Sequence, residues 1–244
     1  MKLLSLFLAL ASLSISAVEK APDKLVVLTF DDSVASHATN VAPLLKKYGF
    51  GATFFITEGF EFAVDKKNYM SWEQIKALHE QGFEIGNHTH YHTGVGGQKP
   101  EQIQADVEYI EKQCEKNGIP KPISFCYPGY QTSPDAVKVL RERGYKFARA
   151  GGGKAFDPEK DEPLTMPQAF DSKPDCTLDD FKKAVAEAKD GKIAVMTFHG
   201  VPDIKHPWVN TAPEKFESYL AYLKEQGCKV IAMKELEKYV AEKK

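Results

Sequence analysis

The residues best suited to chemistry lie in one short stretch, residues 88–92 (His-Thr-His-Tyr-His), which holds three of the seven histidines. His88 and His92 are four residues apart, so one helical turn or a tight loop directs both rings to the same side. Such a pair suits a single divalent ion, but zinc in a catalytic centre usually takes three protein ligands and keeps a position for water. We therefore expect a third ligand from elsewhere, and the best source is the adjacent carboxylates of Asp31 and Asp32.

These residues need a scaffold, and the chain supplies apolar runs that alternate with helical patterns. The predicted strands cover residues 25–30, 52–56, 83–87, 123–127, 145–150, 193–198 and 229–233, with a short one near 168–170. Helical patterns lie between them, and a last helix is predicted over residues 235–244. Strands separated by helices predict a parallel sheet, and about seven such units predict that the sheet closes into a barrel.

In a parallel barrel the active site lies at the C-terminal ends of the strands. The candidate residues follow this rule without having been chosen for it. Those that come directly after predicted strands are Asp31, Asp32, His88, His92, residues 127–130 and His199. One mouth of the barrel can therefore collect all the candidate carboxylates and imidazoles.

In these segments the chain resembles the polysaccharide deacetylase family, the NodB-homology enzymes of carbohydrate esterase family four. The matching segments are residues 29–32 (TFDD), 88–92 (HTHYH) and 195–199 (VMTFH), and the resemblance extends over residues 25–233. It implies an α/β fold of the NodB type, a deformed (β/α) barrel with about seven parallel strands. It also implies metal-dependent removal of acetyl groups from N- or O-acetylated sugars.

The resemblance further implies a role for each residue of the site. Asp31 would be the catalytic base and His199 the catalytic acid, whereas Asp32, His88 and His92 would hold a divalent metal, with Zn2+ expected first and Co2+ or Ni2+ as alternatives. General chemistry agrees with these roles. A bound Zn2+ polarises a carbonyl and lowers the pKa of its water towards ~7, while a carboxylate and an imidazole can take up and return the proton.

Two motifs depart from the family pattern. The third motif is commonly Arg-x-Pro-Tyr-Gly, with the arginine orienting the base, whereas residues 126–130 here are Cys-Tyr-Pro-Gly-Tyr. The fourth, which usually carries an aspartate that holds the arginine of the third, is not recognisable near residues 149–151. We hypothesise that Arg149, at the end of the following strand, reaches across the mouth to pair with Asp31; the alternative is an ordinary surface arginine. By analogy with the family, the backbone N–H of Gly129 or Tyr130 would stabilise the tetrahedral oxyanion.

The residues that contact substrate are less clearly marked. Trp208, in the loop after the last motif, is expected to stack on a sugar ring, whereas Trp72 at a helix start is expected to pack against the protein. His37, His90 and His206 lie in mouth-side loops, from which each could touch the substrate.

The net charge and the N-terminal segment indicate which partners and which location to expect. The net charge is −2 without a basic cluster, so no nucleic-acid partner is expected. Residues 1–17 have the positive start, apolar run and small residues of a secretory signal, too short for a membrane span. We expect residues 18–244 to form one catalytic domain, secreted or periplasmic and without stable membrane association.

The sequence does not decide the pairing of its four cysteines or its oligomeric state. The cysteines are Cys114, Cys126, Cys176 and Cys228.

Three functions remain to be separated. The leading one is a secreted deacetylase of an acetylated (amino) sugar polymer or oligosaccharide, acting on amide bonds or on O-acetyl esters. An allantoinase-like hydrolase of a small cyclic amide would share the architecture. A non-catalytic glycan-binding relative would also keep the fold, although the retention of all five inferred metal and proton-transfer residues favours an enzyme.

Overall fold

The computed structural model describes residues 18–241. The predicted signal, residues 1–17, and the last three residues lie outside the described part of the chain. Within that part, no helix combines the length and the apolar composition needed to cross a membrane. All four cysteines are described, and each is a free thiol.

Eight strands form one sheet, and every pairing in it is parallel. In the described residues they are β1 (Leu25–Phe30), β2 (Thr53–Ile56), β3 (Glu84–Asn87), β4 (Ser124–Cys126), β5 (Phe147–Arg149), β6 (Phe170–Asp171), β7 (Ala194–Phe198) and β8 (Lys229–Ile231). The order across the sheet is β5-β4-β3-β2-β1-β7-β6, and β8 also pairs with β1. One of the eight, β6, has only two residues, and seven longer strands remain. The predicted α/β barrel of about seven parallel strands is therefore confirmed.

The barrel is deformed at two places. On one edge of β1, β8 pairs with residues 25–27 and β2 pairs with residues 29–30, so two strands share that edge. Between β5 and β6, a single parallel bridge joins Arg149 to Met166, and the chain then continues into β6, which pairs with β7. The curled sheet therefore approaches closure through one bridge instead of a full strand pairing.

Six α-helices connect the strands of the described chain. They are α1 (Ala42–Tyr48), α2 (Trp72–Glu80), α3 (Pro100–Lys116), α4 (Pro134–Glu142), α5 (Leu178–Ala186) and α6 (Pro213–Glu225). Several of their ends have typical capping residues: Ser71 accepts a hydrogen bond from the Gln74 N–H, and Gly49 ends α1 with φ of 73°. The prediction of a terminal helix over residues 235–244 was wrong, because a 3-10 helix covers Met233–Lys238 and a turn follows.

Alternation along the strands separates two buried faces of the sheet. Val26, Leu28 and Phe30 of β1 face the helices and belong to a core that includes residues of α1 and α6. Leu25 and Val27 face the barrel interior and belong to a second core with residues of β2, β4, β5, β7 and β8. The residue that follows β1 in the inward series is number 31, so the fold itself directs that side chain towards the interior.

Candidate metal centre and catalytic site

The inward-facing series of five strands end in polar residues at the C-terminal mouth of the barrel. These are Asp31 after β1, His88 after β3, Cys126 in β4, Arg149 in β5 and His199 after β7. The register of β1 and β7 places the first and last of them side by side, and the Asp31 N–H donates to the Phe198 carbonyl at 3.0 Å. Strand parity and register therefore bring these side chains to one point.

Three atoms suited to binding a metal meet at this point. Asp32 Oδ1 lies 3.3 Å from His88 Nε2 and 3.1 Å from His92 Nε2, and all three atoms lie within 4.8 Å of one another. In a tetrahedral zinc site with bonds of about 2.1 Å, neighbouring ligand atoms are about 3.4 Å apart. The observed spacing is therefore that of ligands in one coordination shell.

Hydrogen bonding around His88 explains why a cation fits between these atoms. His88 Nδ1 lies 2.8 Å from the Cys126 carbonyl oxygen, which can only accept, so Nδ1 carries the proton and donates it. In the neutral form of the ring, which metal binding requires, the lone pair on Nε2 faces Asp32 Oδ1, a buried oxygen to which no group donates in the described residues. Two electron-pair donors at this distance repel unless a cation lies between them. One carboxylate and two imidazoles thus form a donor set that fits a divalent metal.

A second trio, Asp31, His88 and Cys126, also has atoms within 4.8 Å of one another, but it is a poorer site for a cation. Arg149 contacts both the Asp31 carboxylate and the Cys126 sulfur, so a metal there would face a fixed positive charge. Burial raises the pKa of the Cys126 thiol although Arg149 opposes this, so the thiolate that a metal needs is disfavoured. Of the two trios, the one that contains Asp32 is therefore the better candidate for a cation.

Arg149 is fully buried beneath the cleft and faces the carboxylate of Asp31. Its Nη2 donates to Asp31 Oδ2, and its Nη1 donates to Gln168 Oε1 at 2.6 Å. The same Gln168 oxygen accepts a 2.5 Å hydrogen bond from Thr197 Oγ1, which fixes the far end of the guanidinium. The structure thus contains the contact between Arg149 and Asp31, not a surface arginine. Direct contact with substrate is not open to Arg149, and its effect on the base stays a prediction.

The charges of the cluster keep both aspartates ionised. Burial alone would raise the pKa of Asp31, but the Arg149 guanidinium, followed by the imidazoles of His88 and His199, holds it below its ordinary value. Burial opposes the ionisation of Asp32 as well, and the rings of His88 and His92 hold the pKa of that carboxyl well below its ordinary value. At neutral pH both side chains therefore carry a negative charge.

Several residues of the site have a backbone conformation that non-glycine residues rarely adopt. The angle φ is 71° at Asp32, 66° at Thr89, 57° at His92 and 62° at Tyr130. Such conformations cost on the order of 1–3 kcal/mol each and persist only where the surroundings impose them. The loops that carry the candidate metal ligands are therefore held in place, as is typical of functional sites.

An open cleft with a volume of about 510 Å³ leads to the site. It is lined by all five residues predicted for metal binding and proton transfer and by Gly129, Tyr130 and Trp208, the residues predicted to contact the substrate or the oxyanion. The Tyr130 N–H already donates to the Tyr127 carbonyl at 3.0 Å. Of the two N–H groups predicted to stabilise an oxyanion, that of Gly129 is therefore the better candidate.

The remaining aromatic and histidine candidates have different surroundings. His206 lines the cleft, whereas the ring of His90 stacks on Tyr109 with a centroid distance of 3.4 Å. His37 is buried below the mouth, where its Nε2 lies 3.0 Å from the His199 carbonyl oxygen. Trp72 packs against the core as expected and donates its indole N–H to Glu58 at 2.6 Å.

Sequence reasoning missed six residues that contribute to the site or its cleft: Phe60, Gln168, Asp171, Lys173, Thr197 and Val209. Thr197 could have been found, because it lies two residues before His199, which directly follows β7, and so shares its inward face. Gln168 had no comparable signal. It joins the site because the chain after Met166 crosses from β5 to β7, a pairing that no local pattern encodes.

The fold and the site together define a NodB-type deacetylase barrel, with two carboxylates and three imidazoles at the C-terminal ends of its strands. The chain belongs to the polysaccharide deacetylase family, whose sequence profile matches residues 18–148.

Individual relatives agree with this assignment. The chain is 30% identical over 125 residues to a peptidoglycan-N-acetylglucosamine deacetylase of Bacillus cereus, a match that covers 51% of this chain and 55% of the relative. The chain spans about half the length of the curated relatives it matches.

Solved structures show the same fold at low sequence identity. The Bc1960 peptidoglycan N-acetylglucosamine deacetylase superposes with a TM-score of 0.64 at 14% identity, covering 92% of both chains. BA3943, described as a family-four pseudoenzyme from Bacillus anthracis, superposes with a TM-score of 0.61 at 20% identity, covering 88% of this chain and 66% of its own. The barrel alone therefore does not decide whether a member is active.

Proposed function

We propose that this protein is a metal-dependent hydrolase that removes acetyl groups from an acetylated amino sugar polymer or oligosaccharide. The observation that carries the proposal is the placement of Asp31 and His199 on neighbouring strands, beside three ligand atoms that converge from Asp32, His88 and His92. Family membership and the deacetylase names of the relatives support an acetylated glycan as the substrate.

The site separates the tasks of binding and proton transfer. A divalent cation held by Asp32, His88 and His92, with Zn2+ proposed first, supplies a Lewis acid for the acetyl carbonyl and lowers the pKa of water. Arg149 occupies Asp31 Oδ2, whereas Asp31 Oδ1 is buried and no described group donates to it. Asp31 Oδ1 is therefore the atom free to take a proton from the attacking water.

His199 completes the reaction as the acid. Its Nε2 lies 3.9 Å from Asp32 Oδ2, at the edge of the same site. An amide nitrogen leaves readily only after it gains a proton, and an imidazole can donate one. The pairing of a base with an acid is needed more for an amide than for an ester, so we propose N-acetyl groups as the principal target.

Metal analysis combined with acetate release tests this function. We expect about one divalent ion per chain and acetate release from chitooligosaccharide or peptidoglycan in preference to acetylated xylan. Asp31→Asn is the matched control, since it keeps the ligands but removes the base, and it should retain the metal while losing nearly all acetate release. Ring opening of a small cyclic amide without acetate release would favour the amide hydrolase, and glycan binding without turnover would favour a non-catalytic relative.

We further propose that the protein is exported, to the periplasm or the medium. The support is the pattern of residues 1–17, a positive start, an apolar run and small residues at its end. Mass spectrometry of protein recovered from outside the cytoplasm should find an N-terminus near Val18. Recovery of the intact chain from the cytoplasm alone would contradict export.

A further inference from the structure

Three aromatic side chains form a continuous surface along the cleft. Phe60 and Trp208 are 47% and 65% exposed, and both line the cleft together with His206. The ring of His206 lies near both, with centroids 4.9 Å from Phe60 and 5.3 Å from Trp208. We call Phe60, His206 and Trp208 the aromatic wall. The hydrolytic chemistry derived above uses none of them.

The aromatic wall begins directly beside the metal site. The centroid of the Phe60 ring lies 4.6 Å from that of His92, a predicted metal ligand. A ring that stacks on the aromatic wall therefore lies next to the group that is hydrolysed and does not occupy the place of that group.

The exposure of Phe60 is imposed by its surroundings. Its φ is 59°, a conformation that costs a non-glycine residue on the order of 1–3 kcal/mol. The preceding Gly59 lies so close to the histidine loop that an added Cβ would be 2.8 Å from the Tyr91 carbonyl and from His92 Cβ. The loop is thus fixed against the metal-binding segment, and Phe60 stays exposed at the cleft.

Charged contacts join the two loops that carry the aromatic wall. Lys205, in the loop of Trp208, lies 2.5 Å from Glu61 Oε2 and 3.3 Å from Asp65 Oδ2, both in the loop of Phe60. Within its own loop, the buried Asp203 accepts hydrogen bonds from the N–H groups of His206 and Gly200, at 2.8 Å and 3.4 Å. The wall is therefore organised before a ligand arrives, which lowers the entropic cost of binding.

We propose that the aromatic wall binds the sugar ring adjacent to the acetylated one, so that the preferred substrate is an oligomer or polymer and not a monosaccharide. This inference rests on the proposed function. A pyranose has a face of C–H groups and a polar rim, and amphipathic aromatic rings match that combination. Lys173 and Asp171, an ion pair with an N–O distance of 3.6 Å, line the same cleft and can bind hydroxyl groups at the rim.

The dependence of activity on chain length tests the inference. The probes are N-acetylglucosamine and its dimer and tetramer, with acetate release as the readout. For the unaltered protein we expect kcat/KM to rise with chain length. Phe60→Ala and Trp208→Ala should each lose about tenfold in kcat/KM on the tetramer, mainly through KM, and clearly less on the monosaccharide. Ile204→Ala is the matched control, since Ile204 is 73% exposed in the same loop as Trp208 but does not line this cleft.

Binding measured without turnover separates this inference from the proposed function. In the Asp31→Asn background, titration calorimetry with the tetramer should show weaker binding after Phe60→Ala or Trp208→Ala and unchanged binding after Ile204→Ala. Equal tetramer affinity in all these variants overturns the aromatic wall, even if the unaltered protein releases acetate. If no glycan yields acetate but the variants still weaken tetramer binding, the wall stands and the proposed hydrolysis fails.

Discussion

Cys126 and Arg149 are direct partners in the parallel pairing of β4 with β5, and Arg149 Nη2 lies 2.7 Å from the Cys126 sulfur where it reaches Asp31. Adjacent strands are only about 4.8 Å apart. An arginine on β5 can therefore reach the carboxylate that, by the resemblance, an arginine at position 126 on β4 would contact. The small thiol leaves room for the longer side chain to pass.

Arg149→Met should lower kcat without removing the metal. The change removes the charge that keeps Asp31 ionised and the donor that fixes its Oδ2, and loss of such a supporting contact typically costs about 10- to 100-fold. Kinetics of acetate release and metal analysis of the same preparation measure both effects. Arg149→Lys keeps the charge but not the forked geometry, so its kcat should be intermediate. Activity near that of the unaltered protein in Arg149→Met would remove Arg149 from the mechanism.

Moving the arginine to the neighbouring strand should restore part of this loss. In Cys126→Arg with Arg149→Ala, the guanidinium starts from β4, one strand away, and the space that the Arg149 side chain filled is open. We expect kcat at least tenfold above that of Arg149→Ala alone, measured by acetate release. Cys126→Arg alone should destabilise the protein, because two guanidinium groups would share one buried space. If the double variant is no more active than the single one, the two positions are not equivalent.

The barrel and the site could be predicted from sequence for the same reason. Strand periodicity shows which residues face inward, and the residues that follow each strand are therefore known to share one mouth. Asp31, His88 and His199 were placed in this way, and the structure brings them together. Arg149 was named only as a hypothesis, because the pattern shows that it ends a strand but not where a long side chain will reach.

Other features could not be predicted because they depend on contacts between distant segments. Gln168 reaches Arg149 through the irregular crossing between β5 and β7. Phe60 is exposed at the cleft because the close approach of Gly59 to the histidine loop fixes its backbone. The sequence pattern also extended the last helix too far, since amphipathic spacing alone does not show that a 3-10 helix ends at Lys238, with Leu236 inside it and Val240 after it, both packed in the second core.

Removing a metal ligand should abolish tight metal binding. Asp32→Asn and His88→Asn each remove one of three converging donors, and the loss in affinity should exceed the about 10- to 100-fold that supporting partners typically cost. Metal content after dialysis and its recovery on adding Zn2+ provide the measurement. Asp171→Asn is a suitable control, because Asp171 lines the same cleft but is not one of the three donors. Full metal content in either ligand variant would contradict the assigned site.

His37 should position the catalytic acid through the backbone. Its Nε2 lies 3.0 Å from the His199 carbonyl oxygen, which only accepts, so the buried His37 ring is the donor. Burial lowers the pKa of His37 to about 4, so the ring is neutral at neutral pH. Ser36 and Asn40 hold the next turn, with hydrogen bonds of 2.8 Å and 2.9 Å to the Val201 backbone. His37 begins a π-helical turn, His37–Val41, and irregular turns of this kind often lie at a functional site.

Replacing the donor at this position should affect kcat more than KM. His37→Leu removes the hydrogen bond to His199 and should lower kcat about tenfold, the equivalent of one such bond. His37→Gln keeps an N–H near the position of Nε2 and should recover most of the activity. Thermal unfolding of both variants serves as the control. A loss of kcat that follows the loss of stability equally in both would indicate a structural role only.

Glu84 is a buried carboxyl at the opposite end of the barrel from the cleft. It accepts hydrogen bonds from Thr53 Oγ1, Ser124 Oγ and the Lys234 N–H, at 2.7 Å, 2.6 Å and 2.7 Å. These donors link β2, β4 and the 3-10 helix at residues 233–238. Burial nevertheless outweighs them and raises the pKa of Glu84 above its ordinary value of 4.5.

This raised pKa should make the protein less stable as the pH rises. Below pH 4.5 the carboxyl is protonated in both the folded and the unfolded chain; above it the unfolded chain ionises first, so the free energy of unfolding falls until the folded pKa is passed. Glu84→Gln removes the ionisable group, and its altered hydrogen bonds do not depend on pH. The free energy of unfolding of the unaltered protein minus that of Glu84→Gln should therefore decrease as the pH rises from 4 towards neutrality, in chemical denaturation series. The same change at Glu80, exposed at the end of α2, should leave the pH dependence intact. A difference for Glu84→Gln that stays constant or increases over this range would show that the buried carboxyl is not protonated more readily in the folded chain.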